Sequence, residues 1–273
     1  MWYELLLSAL FGVLEGVSEW LPISSTGHLI LLERVVRFPV RPVFFELFEV
    51  VIQLGAILAV LVLFWQKLNP VSAKKSAAER RAAWRLWGTV LVATIPSALV
   101  GLFLDDLLER HLHTATTVAT TLIVYGIAFL VLERCRKTPP CVLCTEHIGL
   151  REALLVGCAQ VLSLIPGTSR SGATVLGGML AGLSRPVAAE FSFFLGIPTM
   201  VGASGLKAVK FFAKGNTLAP TEWAMLLVGT TTAFAVSLVT IRTLMDFVRR
   251  HTFFAFGVYR ILLGAAVLLT IFC

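Results

Sequence analysis

The stretch Glu15-Gly-Val-Ser-Glu-Trp-Leu-Pro-Ile-Ser-Ser-Thr-Gly-His28 places two carboxylates, three consecutive hydroxyl residues, a glycine and a histidine in an otherwise apolar region. A second stretch, Gln160-Val-Leu-Ser-Leu-Ile-Pro-Gly-Thr-Ser-Arg-Ser-Gly-Ala-Thr174, repeats its order. In both, an apolar segment is followed by a proline, by small and hydroxyl residues, by a glycine and by a further apolar segment. This order predicts a helix that is interrupted and restarted inside a membrane.

The composition is typical of a polytopic membrane protein. Of the 273 residues, 57% are hydrophobic and 14% are charged, and the mean hydropathy is +0.86. A spanning helix needs about 20 apolar residues, so the chain has room for about six to eight of them. The first apolar run leads directly into the polar stretch, so we expect no cleavable signal peptide. The net charge of +7 is assigned to membrane topology, and no nucleic-acid partner is expected, because the basic residues lie in short loops.

The apolar segments predict an all-α membrane fold with two kinds of element. Shorter pairs, 3–14 with 27–36 and 152–165 with 172–183, flank the two polar stretches. Each pair is predicted to be a re-entrant helix hairpin, because a broken backbone is tolerated at membrane depth only where protein or water covers it. The other apolar stretches predict about six full transmembrane helices, at residues 44–65, 84–104, 114–133, 188–210, 222–244 and 253–272.

The loop charges predict the orientation. Placing residues 66–85, 134–151 and 242–252 in the cytoplasm, with Arg185, collects fourteen Lys and Arg residues there and leaves seven in the outer loops. Both termini and the first hairpin then face the outer side. Because three spans separate the two hairpins, the second is predicted to be inverted relative to the first.

A second echo favours an internal duplication. Glu49-Val-Val-Ile-Gln-Leu-Gly55 is matched by Glu190-Phe-Ser-Phe-Phe-Leu-Gly196. The chain is therefore predicted to be a single integral membrane domain, residues 1–273, built from inverted-topology repeats at about 1–133 and 149–273. Its five cysteines show no disulfide pattern, and Cys141-x-x-Cys144 is interpreted as part of a reduced loop in preference to a zinc site.

The carboxylates of the first stretch predict a metal site. Glu15 and Glu19 are four residues apart, so they share one face of a helix, where two like charges are unfavourable in a bilayer. A divalent cation with oxygen ligands would offset that repulsion. The alternative is a structural pair that is protonated or held by hydrogen bonds. Glu49, Gln53 and Glu190 lie in spans that pack against the hairpins, where they either ligate the metal or support the site.

The hydroxyl residues predict an anion site. Ser24-Ser25-Thr26-Gly27 precedes a new helix, whose free N–H groups and positive dipole end favour an anion. Thr168-Ser-Arg-Ser-Gly172 does the same in the second stretch, and Arg170 adds a fork of donors suited to phosphate oxygens. Helix capping and close packing are the alternative, but packing does not require a guanidinium at that depth. Arg260, within the last span, is predicted to face the carboxylates or a phosphate.

His28 lies one turn inside the new helix, beside these groups. It is predicted to act as a general acid–base or as a nucleophile, although a lone histidine is more often a satisfied core residue. The whole set fits a phosphate or diphosphate on a lipid. Metal-assisted phosphoryl hydrolysis is the chemistry that these residues favour.

The same residues resemble the undecaprenyl-diphosphate phosphatase family, also called the bacitracin-resistance protein family of bacteria. The stretch from Glu15 to His28 is similar to its first signature, and Pro166-Gly-Thr-Ser-Arg-Ser-Gly-Ala-Thr174 is similar to its second. The resemblance covers essentially the whole chain. It implies an enzyme of the bacterial inner membrane that hydrolyses undecaprenyl diphosphate to undecaprenyl phosphate and inorganic phosphate. This recycles the lipid carrier for peptidoglycan and confers bacitracin resistance.

The resemblance also implies roles for individual residues. It implies a divalent cation, Mg²⁺ or Ca²⁺, and an active site that opens to the outer face. The attacking group is left open between Ser25, His28 and a water molecule, and the oligomeric state, a homodimer included, is also open. Taken together with the interpretation of the residues above, the catalytic group is predicted to be Glu15, Glu19, Ser25, His28 and Arg170. Glu15 and Glu19 are predicted to hold the metal, and Glu49 and Gln53, from the neighbouring span, are further candidate ligands. The substrate-binding residues are predicted to be Ser24, Thr26, Ser169, Ser171, Thr174 and Arg260.

A polyprenyl-phosphate transporter is the rival interpretation. Inverted repeats with broken helices at the midplane are a transporter architecture. A carrier of an anionic lipid needs Arg170 and the helix starts, whereas the Glu15–Glu19 pair and His28 favour bond cleavage.

Overall fold

The structure, a computed structural model, describes residues 2–112, 114–136 and 138–272. Within these residues the chain consists of helices and loops, without a β-strand. The α-helices are α1 (Trp2–Ser18), α2 (Ser25–Val35), α3 (Pro42–Leu63), α4 (Trp65–Leu68), α5 (Ala77–Leu112), α6 (Ala115–Cys135), α7 (Leu150–Val161), α8 (Arg170–Leu180), α9 (Arg185–Ala213), α10 (Pro220–Arg250) and α11 (Phe254–Phe272).

Five of these helices, α3, α5, α6, α9 and α10, are long and apolar enough to cross a membrane. They coincide with the first five predicted spans. The sixth predicted span forms α11, whose apolar part, Phe254–Thr270, is shorter than the other five. The all-α, multi-pass membrane fold is therefore confirmed. Cys135, at the end of α6, and Cys141 and Cys144, in the loop that follows, are free and exposed.

Both polar stretches interrupt a helix, as the sequence predicts. The residue before each new helix, Ser24 or Ser169, has φ near +70° and an extended ψ. In the described part of the chain these are the only residues other than glycine with a positive φ. Such a backbone costs about 1–3 kcal/mol and persists only where the surroundings impose it. We call residues 15–28 the first break and residues 160–174 the second break.

Several helices extend beyond the predicted apolar segments. Helix α1 does not stop before Glu15 but continues to Ser18, so that Glu15 lies within the helix. Helix α5 continues past residue 104 to Leu112. Hydropathy predicts where the apolar environment ends. A helix can continue past that point, because its backbone hydrogen bonds are formed within the helix itself.

The helices that lead into the two breaks pack in equivalent ways. Helix α1 lies on α10 and α7 lies on α5; α2 contacts α11 and α8 contacts α6. In each leading helix a glycine allows close approach: Gly12 faces the carbonyl oxygen of Gly229, and Gly157 faces that of Ala93. A side chain at either glycine would collide with the backbone of the partner helix. Small residues at helix contacts of this kind are typical of membrane bundles.

Two helices begin with an Arg-Pro pair whose arginine is fixed by a buried or half-buried glutamate. Arg41, before Pro42 of α3, donates two hydrogen bonds to the Glu222 carboxylate, at 2.9 and 2.7 Å. Arg185, which begins α9, donates from Nε to Glu133 at 2.8 Å. Glu133 also accepts a hydrogen bond from the backbone N–H of Phe253. The first pair fixes the start of α3, the helix that carries the predicted site residues Glu49 and Gln53. The second pair fixes the start of α9, which supports the site.

Candidate active site

The guanidinium of Arg170, the first residue of α8, is fixed on two sides. Nη2 donates to Oε1 of Glu19 at 2.7 Å, and Nη1 donates to the carbonyl oxygen of Ser192 at 2.6 Å. The group also lies 5.8 Å from the ring centre of Trp20. Among the described residues, its buried Nε has no hydrogen-bond partner. Nε of the fork is therefore without a partner in this part of the chain, and an anion is the ligand that a guanidinium fits.

Gly196 of α9 makes room for this guanidinium. A Cβ at Gly196 would lie 2.7 Å from both Nη atoms of Arg170. Real Cβ atoms essentially never show that distance, so a side chain at this position would displace the guanidinium from its place beside Ser192. The second sequence echo, which ends at Gly196, therefore ends at the wall of the candidate site.

Glu15 and Glu19 lie side by side near the end of α1. Both are buried, with 4% and 8% of their surface exposed. The Glu15 carboxyl group lies close enough to Glu19, Glu49 and Arg170 to interact electrostatically with all three. Glu15 Oε1 is buried without a hydrogen-bond partner in the described part of the chain. The pair predicted from the spacing is therefore present, with one carboxylate oxygen left to bind a ligand.

The hydroxyl groups of the second break bind protein atoms. Ser169 accepts from the backbone N–H of Gly172 at 3.2 Å, which caps α8. Ser171 donates to the carbonyl oxygen of Leu21 in the first break at 3.1 Å. Thr174 shares a 2.6 Å hydrogen bond with the hydroxyl of Ser192. These three predicted substrate-binding residues hold the two breaks and α9 together, and the structure brings them within one cluster around Arg170.

Arg260 joins the two breaks from α11. Nη1 donates to the carbonyl oxygen of Pro22 at 3.1 Å, and Nη2 donates to those of Gly167 and Thr168, both at 2.9 Å. The side chain is fully buried and lies over the ring of Tyr125, 5.5 Å from its centre. The hydrogen bonds that the structure gives Arg260 therefore run to backbone carbonyls, while its predicted contact with carboxylate or phosphate stays a prediction.

His28 is held at both ring nitrogens. Nδ1 lies 2.7 Å from the carbonyl oxygen of Ser24, and Nε2 lies 2.6 Å from the hydroxyl of Tyr259. A carbonyl oxygen only accepts, so Nδ1 carries the hydrogen and Nε2 of the neutral ring accepts from Tyr259. Ser25 and Thr26 are half-buried at the start of α2, and the Ser24 hydroxyl is buried without a partner among the described residues. The first break thus offers hydroxyls and a histidine of fixed tautomer.

A cavity of about 860 Å³ lies against the second break, between α3, α5 and α9. Of the predicted site residues within the described part of the chain, Arg170 lines it. Glu19 binds the other side of the same guanidinium. Arg170 therefore lies between the cavity and the carboxylate pair, where a ligand in the cavity meets a cation that the carboxylates hold in place.

The carboxyl pair fits a divalent cation only in part. Across residues 2–112, 114–136 and 138–272, no group of three or more His, Cys, Asp or Glu side chains is placed to hold a metal ion. Gln53 lies half-buried on α3, and Glu190 forms a 2.7 Å ion pair with Lys67. Mg²⁺ is commonly bound by one or two carboxylates together with water and substrate phosphates. Glu15, whose Oε1 has no partner among the described residues, and Glu19 provide the two carboxylates that such a Mg²⁺ site uses.

Three contributors to the site were not predicted from the sequence as site residues. Tyr259 holds His28, Ser192 holds Arg170 and Thr174, and Gly196 makes room for Arg170. A polar residue beside Arg260 in an apolar span is a signal for Tyr259, and the second echo is a signal for the other two. Their roles depend on contacts between distant parts of the chain, which spacing within a motif does not show.

These observations define a class of protein. Two broken helices meet inside a membrane bundle, and buried cationic and acidic side chains converge between them beside a cavity. The fold and the site together are those of an integral membrane protein that acts on an anionic ligand.

Comparisons with known proteins give the particular family. The sequence profile described as "Bacitracin resistance protein BacA" matches residues 8–266. A protein of Streptococcus thermophilus (strain ATCC BAA-250 / LMG 18311), named undecaprenyl-diphosphatase, is 53% identical over 266 residues, 97% of this chain and 92% of that protein. Proteins of the same name from Streptococcus suis (strain 05ZYH33) and Streptococcus equi subsp. zooepidemicus (strain H70) are 51% identical over 273 and 269 residues, which covers 100% and 98% of this chain and 98% and 96% of theirs. The chain belongs to the bacitracin resistance protein BacA family, as its two signatures predict.

Proposed function

We propose that this protein hydrolyses undecaprenyl diphosphate to undecaprenyl phosphate and inorganic phosphate. The names of its full-length relatives and the family support this activity. The observation that carries it is the environment of Arg170, which presents one unpartnered, buried donor beside the cavity while Glu19 and Ser192 fix its plane. In the cell the reaction would recycle the lipid carrier for peptidoglycan synthesis and confer bacitracin resistance.

The protein contributes mainly by placing charge. Arg170 binds the phosphate oxygens and stabilises the negative charge that develops during transfer. The start of α8, capped by Ser169, adds backbone N–H groups and the positive end of a helix dipole. Arg260, Ser171 and Thr174 keep this frame in place through the carbonyl and hydroxyl bonds described above. A fixed frame matters because a misplacement of about 1 Å can lower a rate by 100-fold.

Glu15 and Glu19 are the residues that we propose hold a divalent cation, Mg²⁺ or Ca²⁺, with Glu49 and Gln53 as further candidates. Such a cation neutralises phosphate charge when it is bound. The unpartnered Oε1 of Glu15 supports this assignment. Glu19 shares its charge between Arg170 and this site, which couples cation binding to the position of the guanidinium.

The attacking group is proposed to come from the first break, as Ser25 or as a water molecule that His28 orients. His28 has Nδ1 committed to Ser24, so any proton transfer at this residue passes through Nε2. Tyr259 holds that nitrogen. An acid–base role for His28 therefore involves Tyr259, either by its displacement or as a partner in the transfer.

The orientation and the repeat are part of the proposal. We place the protein in the bacterial inner membrane with the cavity and both termini on the outer side, as the loop charges predict. The matched packing of α1 with α10 and α7 with α5, and the two serines with positive φ, support two related halves of inverted topology with re-entrant hairpins. Membrane lipids and the polyprenyl diphosphate are the proposed partners, without nucleic acid, and a homodimer is one arrangement to be tested by native mass measurement.

The test is phosphate release from undecaprenyl diphosphate or farnesyl diphosphate by the purified protein in detergent, with Mg²⁺, with Ca²⁺ and with a chelator. Metal-dependent release that Glu15→Gln and Glu19→Gln abolish is expected. Asp246→Asn, which removes an exposed carboxylate with 70% exposure, is the matched control and is expected to leave release unchanged. Folded wild-type protein that releases no phosphate under any of these conditions would favour the transporter, which the comparisons do not favour.

A further inference from the structure

The outer end of α9 brings three lysines to the cavity that Arg170 closes. Lys207, Lys210 and Lys214 all line it. On a helix of 3.6 residues per turn, positions three and seven apart share one face, so the three ammonium groups are presented together. Lys210 and Lys214 are exposed and Lys207 is half-buried. We call these three residues the lysine rim.

The lysine rim is separate from the reaction centre. The Arg170 guanidinium lies against Gly196 of α9, and Lys207 follows eleven residues later on the same helix. At a rise of 1.5 Å per residue, this places the rim about 16 Å along the helix from the guanidinium. A lysine side chain does not span that distance, so the rim and Arg170 do not bind the same phosphate group at the same time.

Polar groups line the wall of the cavity as well as its two ends. Hydroxyls of Thr94, Ser97 and Thr199 and the amide of Gln160 lie on it. Gln160 is 1% exposed, donates to Ser97, and has a side-chain oxygen with no partner among the described residues. This oxygen is buried behind the wall, so the polar character of the lining comes from the side chains of these four residues together. The cavity is therefore suited to a polar headgroup and not only to apolar chains.

Charge decides which headgroup fits. At the mouth, Glu46 is the acidic side chain among the described residues of the lining, so the three lysines dominate, and Arg170 adds a further cation at the inner end. Lysine acts on phosphate as a hydrated point charge that needs no fixed geometry, which suits a first encounter, whereas the fixed arginine suits the final position.

We propose that the lysine rim is an anion-capture site that binds the phosphate groups of the lipid substrate before Arg170 does. This inference rests on the proposed function, and it assigns a binding step to residues outside both breaks. Exposed charges act over about a Debye length of 8–10 Å and are screened by salt. The rim therefore raises the rate of productive encounter and leaves the chemical step unchanged.

The test compares two variants that each remove three positive charges. The first is Lys207→Gln/Lys210→Gln/Lys214→Gln. The second, the control, is Lys74→Gln/Arg80→Gln/Arg81→Gln, which changes exposed cations that do not line the cavity. Kinetics are measured with farnesyl diphosphate in a neutral detergent at low and high salt. We expect the rim variant to raise KM on the order of 10-fold at low salt, to lose most of the salt dependence of kcat/KM, and to keep kcat.

Other outcomes overturn the proposal. A KM equal to that of wild type and control would exclude capture by the rim. A fall of kcat at unchanged KM would place the lysines in the transition state and not at the encounter. If added phosphatidylglycerol competes with substrate in wild type but not in the rim variant, while inorganic phosphate does not compete in either, the rim binds bulk anionic lipid instead.

A binding measurement separates this proposal from the proposed function. Affinity for farnesyl methylenediphosphonate, which is not cleaved, is measured for wild type and for both variants. Weaker binding by the rim variant alone supports capture, even if the wild-type protein hydrolyses nothing. An absence of hydrolysis would contradict the proposed function but not the capture site. Equal binding by all three proteins overturns the rim.

Discussion

The two breaks have the same frame and different chemistry. An offset of 145 positions aligns them, because Ser24 and Ser169 both have φ near +70°. The offset also pairs residues that do the same structural work, namely the helix-contact glycines Gly12 and Gly157, the serines Ser18 and Ser163, and the glycines Gly27 and Gly172.

The positions that differ carry the charge and the reactive groups. Glu19 corresponds to Leu164, and Ser25 corresponds to Arg170. Glu15 corresponds to Gln160, which keeps the shape and loses the charge, and His28 corresponds to Ala173. The first break is therefore acidic and carries the histidine, whereas the second is cationic.

This difference explains how one fold makes a site for a phosphate and a cation together. Neither break alone neutralises its own charge inside a membrane, where an unpaired ion is costly. The ion pair between Glu19 and Arg170 joins them, with Glu15 on one side and the cavity on the other. The comparison thus predicts that changes to the frame affect stability and changes at the differing positions affect chemistry.

The largest effect is expected from Arg170→Ala. It removes the charge of the second break, so phosphate release should fall by about 100- to 1000-fold. It also leaves Glu19 buried and unpaired, which is expected to lower the free energy of unfolding by about 3–5 kcal/mol. Thermal unfolding in detergent and phosphate release measure the two effects. Arg249→Ala, at an exposed arginine, is the control and should change stability by less than about 0.5 kcal/mol.

A second variant separates the two effects of Arg170. Glu19→Gln/Arg170→Ala removes the orphaned charge, so it should regain much of the stability that Arg170→Ala loses and none of the activity. Recovery of turnover in this double variant, or near-normal turnover of Arg170→Ala itself, would show that the second break does not supply the cation of the site.

The next effect in size is expected from Arg260→Ala, which tests the frame. Arg260 binds three carbonyl oxygens from both breaks, and each buried group left without a donor costs about 1–3 kcal/mol. We expect a loss of about 3 kcal/mol or more in unfolding free energy, with activity falling in parallel. Arg260→Lys should lose most of the same stability, since one ammonium does not reproduce the fork. Unchanged thermal stability with a raised KM would instead assign Arg260 to the substrate.

Gly196→Ala is expected to have an intermediate effect on activity. The added methyl displaces the Arg170 guanidinium, and a shift of about 1 Å is expected to lower kcat/KM by up to 100-fold. Gly88→Ala is the control, because a Cβ at Gly88 meets no atom within 4 Å. In a helix it should be neutral or stabilise the protein by about 0.4–1 kcal/mol. Equal activity of the two variants would show that the guanidinium does not need its position against α9.

The sequence predicts well what depends on local composition and order. The apolar segments predict the membrane helices, and the proline, hydroxyl and glycine order predicts both breaks within a few residues. It does not predict where a helix ends. Glu15 does not interrupt α1; the helix continues to Ser18 and places this carboxyl group inside the bundle, beside Glu19, Glu49 and Arg170.

Local sequence patterns do not predict contacts between distant parts of the chain. Arg260 was identified from its charge in an apolar span, yet its hydrogen-bond partners lie 92 to 238 positions away. The Arg-Pro pairs at Arg41 and Arg185 are visible in the sequence, but their glutamate partners are on other helices. A buried charge can be located from hydropathy, whereas the group that compensates it is a property of the packed bundle.

The smallest expected effect comes from Tyr259→Phe. This variant tests the role of His28, which has no equivalent in the second break. Removing the hydroxyl deletes a hydrogen bond worth about 0.5–1.5 kcal/mol, so kcat/KM should fall by about 2- to 12-fold. If Tyr259 acts through His28, the variant His28→Ala/Tyr259→Phe should be no less active than His28→Ala, because residues of one network do not contribute additively. Tyr3→Phe, at an exposed tyrosine, is the control. Additive losses in the double variant would mean that Tyr259 contributes independently, and would leave His28 held in place by Ser24 alone.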